Sequence, residues 1–188
     1  PHMNLLKDMG TEVIVYGEMD SCVHGDISSP LSKRPVLDNE QWEEWTDKLS
    51  QLAKYTLSHG MKLAYHHHMG TVVQVEEEVD KLMAMTTHDL GLVFDTGHLI
   101  YAGADPLEVY KKHSGRVMHI HCKDVRGEIL NRSLETDSSF LNSVLNGVYT
   151  VPGDGDFNFP ELFKMVSDNN FNGWVVVEAE QDPAKAHP

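Results

Sequence analysis

The chain has 188 residues, 40% of them apolar, with 29 acidic against 15 basic side chains and a formal charge of −14 with histidine neutral. That length supports one domain, or part of a larger one, with a real core, and the acidic balance disfavours nucleic acid, whose phosphates it would repel. No apolar run approaches membrane-spanning length and no signal peptide is visible; Cys22 and Cys122 give no disulfide framework and point to a reducing, cytoplasmic setting.

The first nine residues read as the end of a helix closed by Gly10, although the first three letters also suit a cloning scar. Glu12 to Gly17 is a short β-branched strand with Glu18 at its end. A long polar stretch, Met19 to Asp38, follows; loops of that length are usually functional. Asp38 with Gln41 three residues on predicts a capping box. Trp42, Trp45, Leu49, Leu52 and Thr56 recur at helical spacing behind it, a stripe that belongs in a core. Gly60 ends that helix. Met61 to Tyr65 is the next strand and runs into His66-His67-His68. Val75 to Met85 is a helix with Val75, Val79, Leu82 and Met83 inward. Glu76, Glu77 and Glu78 in its first turn suit the helix dipole and read as a solvated start.

Leu92-Val93-Phe94 is an apolar strand that stops at Asp95-Thr96-Gly97-His98. Asp105-Pro106-Leu107-Glu108 then announces a helix, with an N-cap, proline at N1 and glutamate at N3. Val117 to Ile120 is a second apolar strand, ending at His121-Cys122-Lys123-Asp124. Two buried strands joined by a helix predict a right-handed βαβ unit with parallel strands. A polar segment leads to a helix near Ser138 to Asn146, a turn-rich loop from Val151 to Asp156, a helix from Pro160 to Asn169 and a last strand from Gly173 to Glu178. Ala179 to Pro188 is a polar tail. Strand and helix alternate, five strands in all, as in an α/β protein with a parallel sheet whose strands neighbour one another in chain order.

Sites in such proteins lie at the carboxyl edge of the sheet. Here that edge is rich in ligands: His66 and His68, Asp95 and His98, His121, and Glu178 with Glu180. Alternation along a strand puts His66 with His68 on one face, and His119 with His121. A mixed nitrogen and oxygen set suits Mn²⁺, Co²⁺, Fe²⁺ or Zn²⁺ and lacks the thiolates of a structural zinc site. A lone strand-end histidine is usually only hydrogen-bonded, which is the reading for His67 and His119. Asp95 also suits a helix N-cap, Lys123 with Asp124 a surface ion pair, and Cys122 simple packing. Four consecutive strands ending the same way favour a metal site over four separate accidents. No phosphate-binding glycine loop or nucleophile elbow is present.

The segments YGEMDS, PLSKRPVL, LAYHHHMGTVVQ, FDTGH, HIHCKD, VPGDGDFNFP and WVVVEAEQDPAKAHP together resemble the inosose dehydratases of inositol catabolism, within the xylose isomerase-like barrels. The resemblance covers nearly the whole chain. It implies a TIM-type (β/α)8 barrel, a divalent metal, typically Mn²⁺ or Co²⁺, and dehydration of scyllo-inosose, a keto-cyclitol, to a trihydroxycyclohexane-dione. By position it implies Asp95, His121 and Glu178 as metal ligands. Many relatives have a glutamate as fourth ligand where His66 stands here, so that place falls to His66, His68 or water. His98 resembles a substrate-contacting residue. Removing the proton alpha to the ketone and protonating the departing hydroxide calls for a base and an acid, for which His98, Lys123, His68 and Glu18 are the candidates. A keto-sugar isomerase or epimerase on the same metal, an endonuclease of the same barrel, or a non-catalytic sugar- or metal-binding fragment are the alternatives. A barrel takes roughly 250 residues, so five strands correspond to the carboxyl-terminal part of one. The Glu12 and Gly173 strands are then open edges, for which pairing with another copy or continuation in a longer chain is expected.

Overall fold

The computed structural model describes residues 2–185; Pro1, the first letter of the suggested scar, and the last three residues of the polar tail lie outside it. A short helix α1 (His2–Asp8) leads to strand β1 (Val13–Gly17). Helix α2 (Asn39–Ser58) follows, then β2 (Lys62–His66), α3 (Glu76–Met85), β3 (Leu90–Asp95), α4 (Thr96–Tyr101), α5 (Pro106–His113) and β4 (Val117–Cys122). The rest comprises β5 (Asp124–Val125), α6 (Gly127–Glu135), α7 (Phe140–Leu145), β6 (Tyr149–Thr150), α8 (Phe159–Asp168) and β7 (Trp174–Val177). Ala179 to Lys185 has no helix or strand. No helix among the described residues is long and apolar enough to cross a membrane.

The five expected strands form one sheet, in the order β1-β2-β3-β4-β7, and every neighbouring pair is parallel. Three strand steps of about 4.8 Å would hold β1 and β4 about 14 Å apart in a flat sheet. Their Cα atoms instead approach within 8 Å, so the sheet curls into an open arc. Leu63 and Tyr65 of β2, Leu90, Leu92 and Phe94 of β3 and Ile120 and Cys122 of β4 pack on the convex face beneath the helices, with Trp42, Leu49, Val79 and Leu82. The alternate residues face the concave side, and that is where the histidines and Asp95 lie.

One irregularity decides which face the β4 histidines take. Leu92 pairs with Val117, but Val93 pairs with His119, leaving Met118 as an extra residue. Such a bulge resets the alternation. Val117 thus packs in the convex core while His119 and His121, two residues apart, share the concave face.

Local signals largely hold. Asp38 and Gln41 form the reciprocal capping box, and Gly10 and Gly60 end their helices at φ +78° and +77°. Asp105 caps α5 through Leu107 N with Pro106 at N1, but Glu108 pairs with Lys111 instead of closing a box. Leu52 of the tryptophan stripe points to solvent, and Ala53 fills the core in its place. The first turn of α3 is not simply solvated: Glu78 pairs with Arg34 at 2.8 Å and accepts from Gln74 N and Val75 N. Helices α4 and α6, and the antiparallel two-residue ribbon of β5 with β6, stand where only connecting segments were expected.

Candidate metal centre

Asp95 closes β3 and opens α4, and its two oxygens do different things. Oδ1 accepts from the His98 backbone N–H at 3.1 Å, the N-cap of α4. Oδ2 lies 2.7 Å from Lys123 Nζ, 3.1 Å from His66 Nε2 and 3.3 Å from His121 Nδ1. The side chain is wholly buried. From the far edge Glu178 brings Oε2 to 3.2 Å from His121 Nδ1 and 2.8 Å from Lys123 Nζ. Glu180 reaches Lys123 Nζ at 3.1 Å. Lys123 and Asp124 are therefore no surface pair: both are fully buried. Asp124 turns the other way and accepts backbone N–H groups from Val125, Gly153, Gly155 and Phe157, folding the glycine-rich loop around its carboxylate.

The remaining histidines form a wall. The His68 ring lies 3.9 Å from that of His98 and 4.9 Å from that of His24, with Phe140 beside it. His68 Nδ1 bonds the Met69 carbonyl at 2.8 Å, so that nitrogen carries the proton and Nε2 keeps a lone pair. His98 Nε2 lies 3.2 Å from Lys123 Nζ and its Nδ1 lies 3.0 Å from the Tyr149 hydroxyl. Facing an ammonium, Nε2 must accept, which puts the His98 proton on Nδ1, pointing at Tyr149. His67 is buried beneath, where its Nε2 accepts from Asp95 N at 3.3 Å and steadies the strand end. Glu18 is not brought to this cluster: it accepts from its own loop and from Trp45 Nε1 at 3.1 Å. Cys122 packs in the convex core, and burial pushes its thiol up to about 12.

Electrostatics follow from that geometry. Burial opposes the charge of Asp95, but His98 and Lys123, with His121 and His66 close to Oδ2, outweigh it and hold the carboxyl well below the usual range. Burial, then His68, keeps His98 itself well below its usual value and neutral, so the counter-charges are Lys123 and the protonated His121. Burial likewise opposes the ammonium of Lys123, yet Asp95, Glu180 and Glu178 keep it protonated above its ordinary range. Glu178 is held at about 2, because His121 and Lys123 overcome the cost of burying it. His121 is held protonated to about 9 by Asp95 and Glu178, again against burial. His67 and His68 are pushed down to about 3, chiefly by burial.

Ligand atoms of Asp95, His121 and Glu178 come together within 4.8 Å of one another. The set fits a metal on one further observation: buried His121 Nδ1 has no hydrogen-bond partner, although two carboxylate oxygens stand 3.3 and 3.2 Å away, off the hydrogen-bonding line. A tetrahedral ion with bonds of about 2.0–2.1 Å has ligands about 3.3–3.4 Å apart along each edge. His66 shares a second set with Asp95 and His98, and His68 a third with His98 and Glu180. Tyr149 and His24 had no signal in the sequence. Tyr149 sits in a two-residue strand, and His24 lies in a loop 44 positions before His68.

The sequence model of the xylose isomerase-like TIM barrel family matches residues 2–188. The chain is 47% identical over 188 residues to the rhizopine catabolism protein MocC of Rhizobium meliloti, covering 100% of this chain and 58% of that protein. It is also 47% identical over 189 residues to inosose dehydratase 2 of Bacillus cereus, covering 100% of this chain and 63% of that one. The chain thus spans about three fifths of the length of these curated relatives. Among solved structures, one of the IolI protein with a binding zinc atom superposes with a TM-score of 0.69 at 17% identity, over 97% of this chain and 59% of that one.

Proposed function

The chain belongs to the xylose isomerase-like TIM barrel family, and from that premise we propose that it contributes the metal centre of a hydro-lyase acting on a keto-cyclitol in inositol catabolism. Scyllo-inosose is the substrate we favour, because inosose dehydratases are among the relatives at 47% identity. The single observation that carries the metal is the convergence of Asp95, His121 and Glu178 on a histidine nitrogen with no hydrogen bond. Asp95, His121 and Glu178 would hold a divalent ion, Mn²⁺ or Co²⁺ by the resemblance, with Zn²⁺ or Fe²⁺ suited by the same ligands. His66 is the fourth candidate, through its contact with Asp95. The ion would serve as a Lewis acid toward a substrate carbonyl.

The chain's own groups divide the proton work. His68 is neutral and its Nε2 lone pair is free, so it is the base we favour for the proton alpha to the ketone. Lys123 is a buried ammonium whose charge can stabilise the negative oxygen left behind and which, on giving up its longer contact with Glu180, can protonate the departing hydroxide. His98, donating to Tyr149 and accepting from Lys123, has no free valence and holds the lysine in line. Loss of the alpha proton and of the beta hydroxide leaves an enol, which becomes the dione by shifting its hydroxyl proton to carbon. Glu18 is left outside this scheme by its bonds to Trp45 and its own loop.

The test is to assay the intact protein on scyllo-inosose after chelation, and again with Mn²⁺, Co²⁺ or Zn²⁺ restored. Dione should form only in the metal-loaded protein. Turnover indifferent to chelation would remove the metal from the scheme, and an isomerised keto-sugar without dione would make the protein an isomerase or epimerase.

A further inference from the structure

The least expected group in the cluster is the ammonium of Lys123. It has no solvent exposure and meets four atoms that are all metal-ligand types. Asp95 Oδ2 is at 2.7 Å, Glu178 Oε2 at 2.8 Å, Glu180 Oε1 at 3.1 Å and His98 Nε2 at 3.2 Å. An ammonium has three hydrogens for these four neighbours. His68, His98 and Glu180 also form a set of ligand atoms within reach of one another. The concave face therefore holds more ligands than one ion needs, and the lysine bridges the first set, through Asp95 and Glu178, and the surplus ligands Glu180 and His98.

We propose that Lys123 occupies the place of a second divalent cation and so limits the site to one metal. This rests on the reading of Asp95, His121 and Glu178 as ligands to the first. Charge makes the case. One divalent ion together with one ammonium balances the three carboxylates of Asp95, Glu178 and Glu180. A second divalent ion beside the ammonium would leave two surplus positive charges next to the fully buried Lys123 and Asp95, which is costly. Without the lysine, Glu180 and His98 lose their cation, and a vacancy lined by carboxylate and imidazole remains. Such a mixed oxygen and nitrogen set is what a hard or borderline divalent ion selects. The methylenes of Lys123 contribute to the exclusion, since its stem fills the space next to Gly97: a Cβ there would stand 2.5 Å from Lys123 Cβ.

The test counts ions. The intact protein, dialysed against Zn²⁺ and then buffer, should retain one ion per chain by elemental analysis. Lys123→Ala should retain two, and Lys123→Ala with Glu180→Gln should return to one. Lys123→Ser, which leaves a hydroxyl for the carboxylates, repeats the count if the alanine variant does not fold. One ion in every folded variant overturns the proposal, as do two in the natural chain. Variants that stay unfolded even with Zn²⁺ present also count against it, because a second ion should neutralise the exposed carboxylates. No ion in the natural chain defeats the metal reading itself, a separate outcome from failure of the lysine variants to gain a second.

Discussion

Asp95 is the residue on which the others depend, because its two oxygens separate structure from chemistry. Oδ1 starts α4 and Oδ2 gathers Lys123, His66 and His121. Asp95→Asn keeps the shape and a capping oxygen but removes the charge. The metal-free protein should lose about 1.5–3 kcal/mol, the worth of a hydrogen bond to a charged group, since Lys123 retains Glu178 and Glu180. Metal affinity should fall by more than about 100-fold, beyond what loss of a supporting residue costs. Urea melts and a metal titration measure the two effects, and an affinity within tenfold of the original would reduce Asp95 to a helix cap. His121 gives a second measurement: its imidazolium rests on Asp95 and Glu178, so in the metal-free Asp95→Asn protein its pKa should drop from about 9. A carbon-bound proton titration by NMR reads that shift, and an unmoved value would mean Glu178 alone holds the charge.

At the scale of elements, α4 is the short piece that positions the cluster, and it has no room to move. A methyl at Gly97 would lie 2.5 Å from Lys123 Cβ and 3.0 Å from a Tyr149 ring carbon. Gly97→Ala should cost about 1–3 kcal/mol, the usual range for overpacking, and should also change metal affinity, because it displaces the Lys123 ammonium from Asp95 and Glu178. A variant with unchanged stability and affinity would show that α4 yields freely. Asp124→Asn should act on a different element. Each loop N–H left without its acceptor costs about 1–3 kcal/mol, and exchange should quicken at Gly153, Gly155 and Phe157 while the main sheet stays protected. These elements also show where the sequence was legible. The parallel strands and their order were, because apolar runs alternate with capped helices and few chains connect otherwise. The shared face of His119 and His121 was legible too, from alternation alone, but the bulge at Met118 was not, because Val117 and Met118 are both apolar. Strands β5 and β6 were not, since two residues show no period. Burial of Lys123 and Asp124 was hidden for another reason. Their partners come from β3, from the loop after β6 and from beyond β7, and adjacent opposite charges on a polar stretch look alike in or out of solvent.

The whole molecule should report the cluster through pH, because its groups titrate in opposing directions. His67 and His68 have pKa values pushed down to about 3, from about 6.5 in an unfolded chain, so folding disfavours their protonation. Stability they leave intact above pH 6.5 is lost progressively as pH falls toward 3. Glu178, at about 2, adds to that acid loss below about pH 4.3, the unfolded value. His121 works the other way: raised to about 9, it contributes fully below pH 6.5, and that contribution disappears as pH rises through 9. The metal-free protein should therefore be most stable near pH 6.5, with a shoulder falling away on each side. Metal acts on both limbs, through Glu178 on the acid side and through His121 on the alkaline side. A ligating imidazole must be neutral, so binding replaces the proton on His121 and the alkaline loss should flatten. For the same reason, a fixed concentration of Zn²⁺ should raise the urea midpoint more at pH 8.5 than at pH 6, where the proton still competes. A bound ion at 100 times its dissociation constant adds about 2.7 kcal/mol, enough to resolve the difference between the two pH values. Urea midpoints across pH 4 to 9.5, with chelator and with Zn²⁺, test the whole arrangement. A metal-free optimum above pH 8, or a metal effect equal at pH 6 and pH 8.5, would mean that His121 does not hold the proton the ion has to displace.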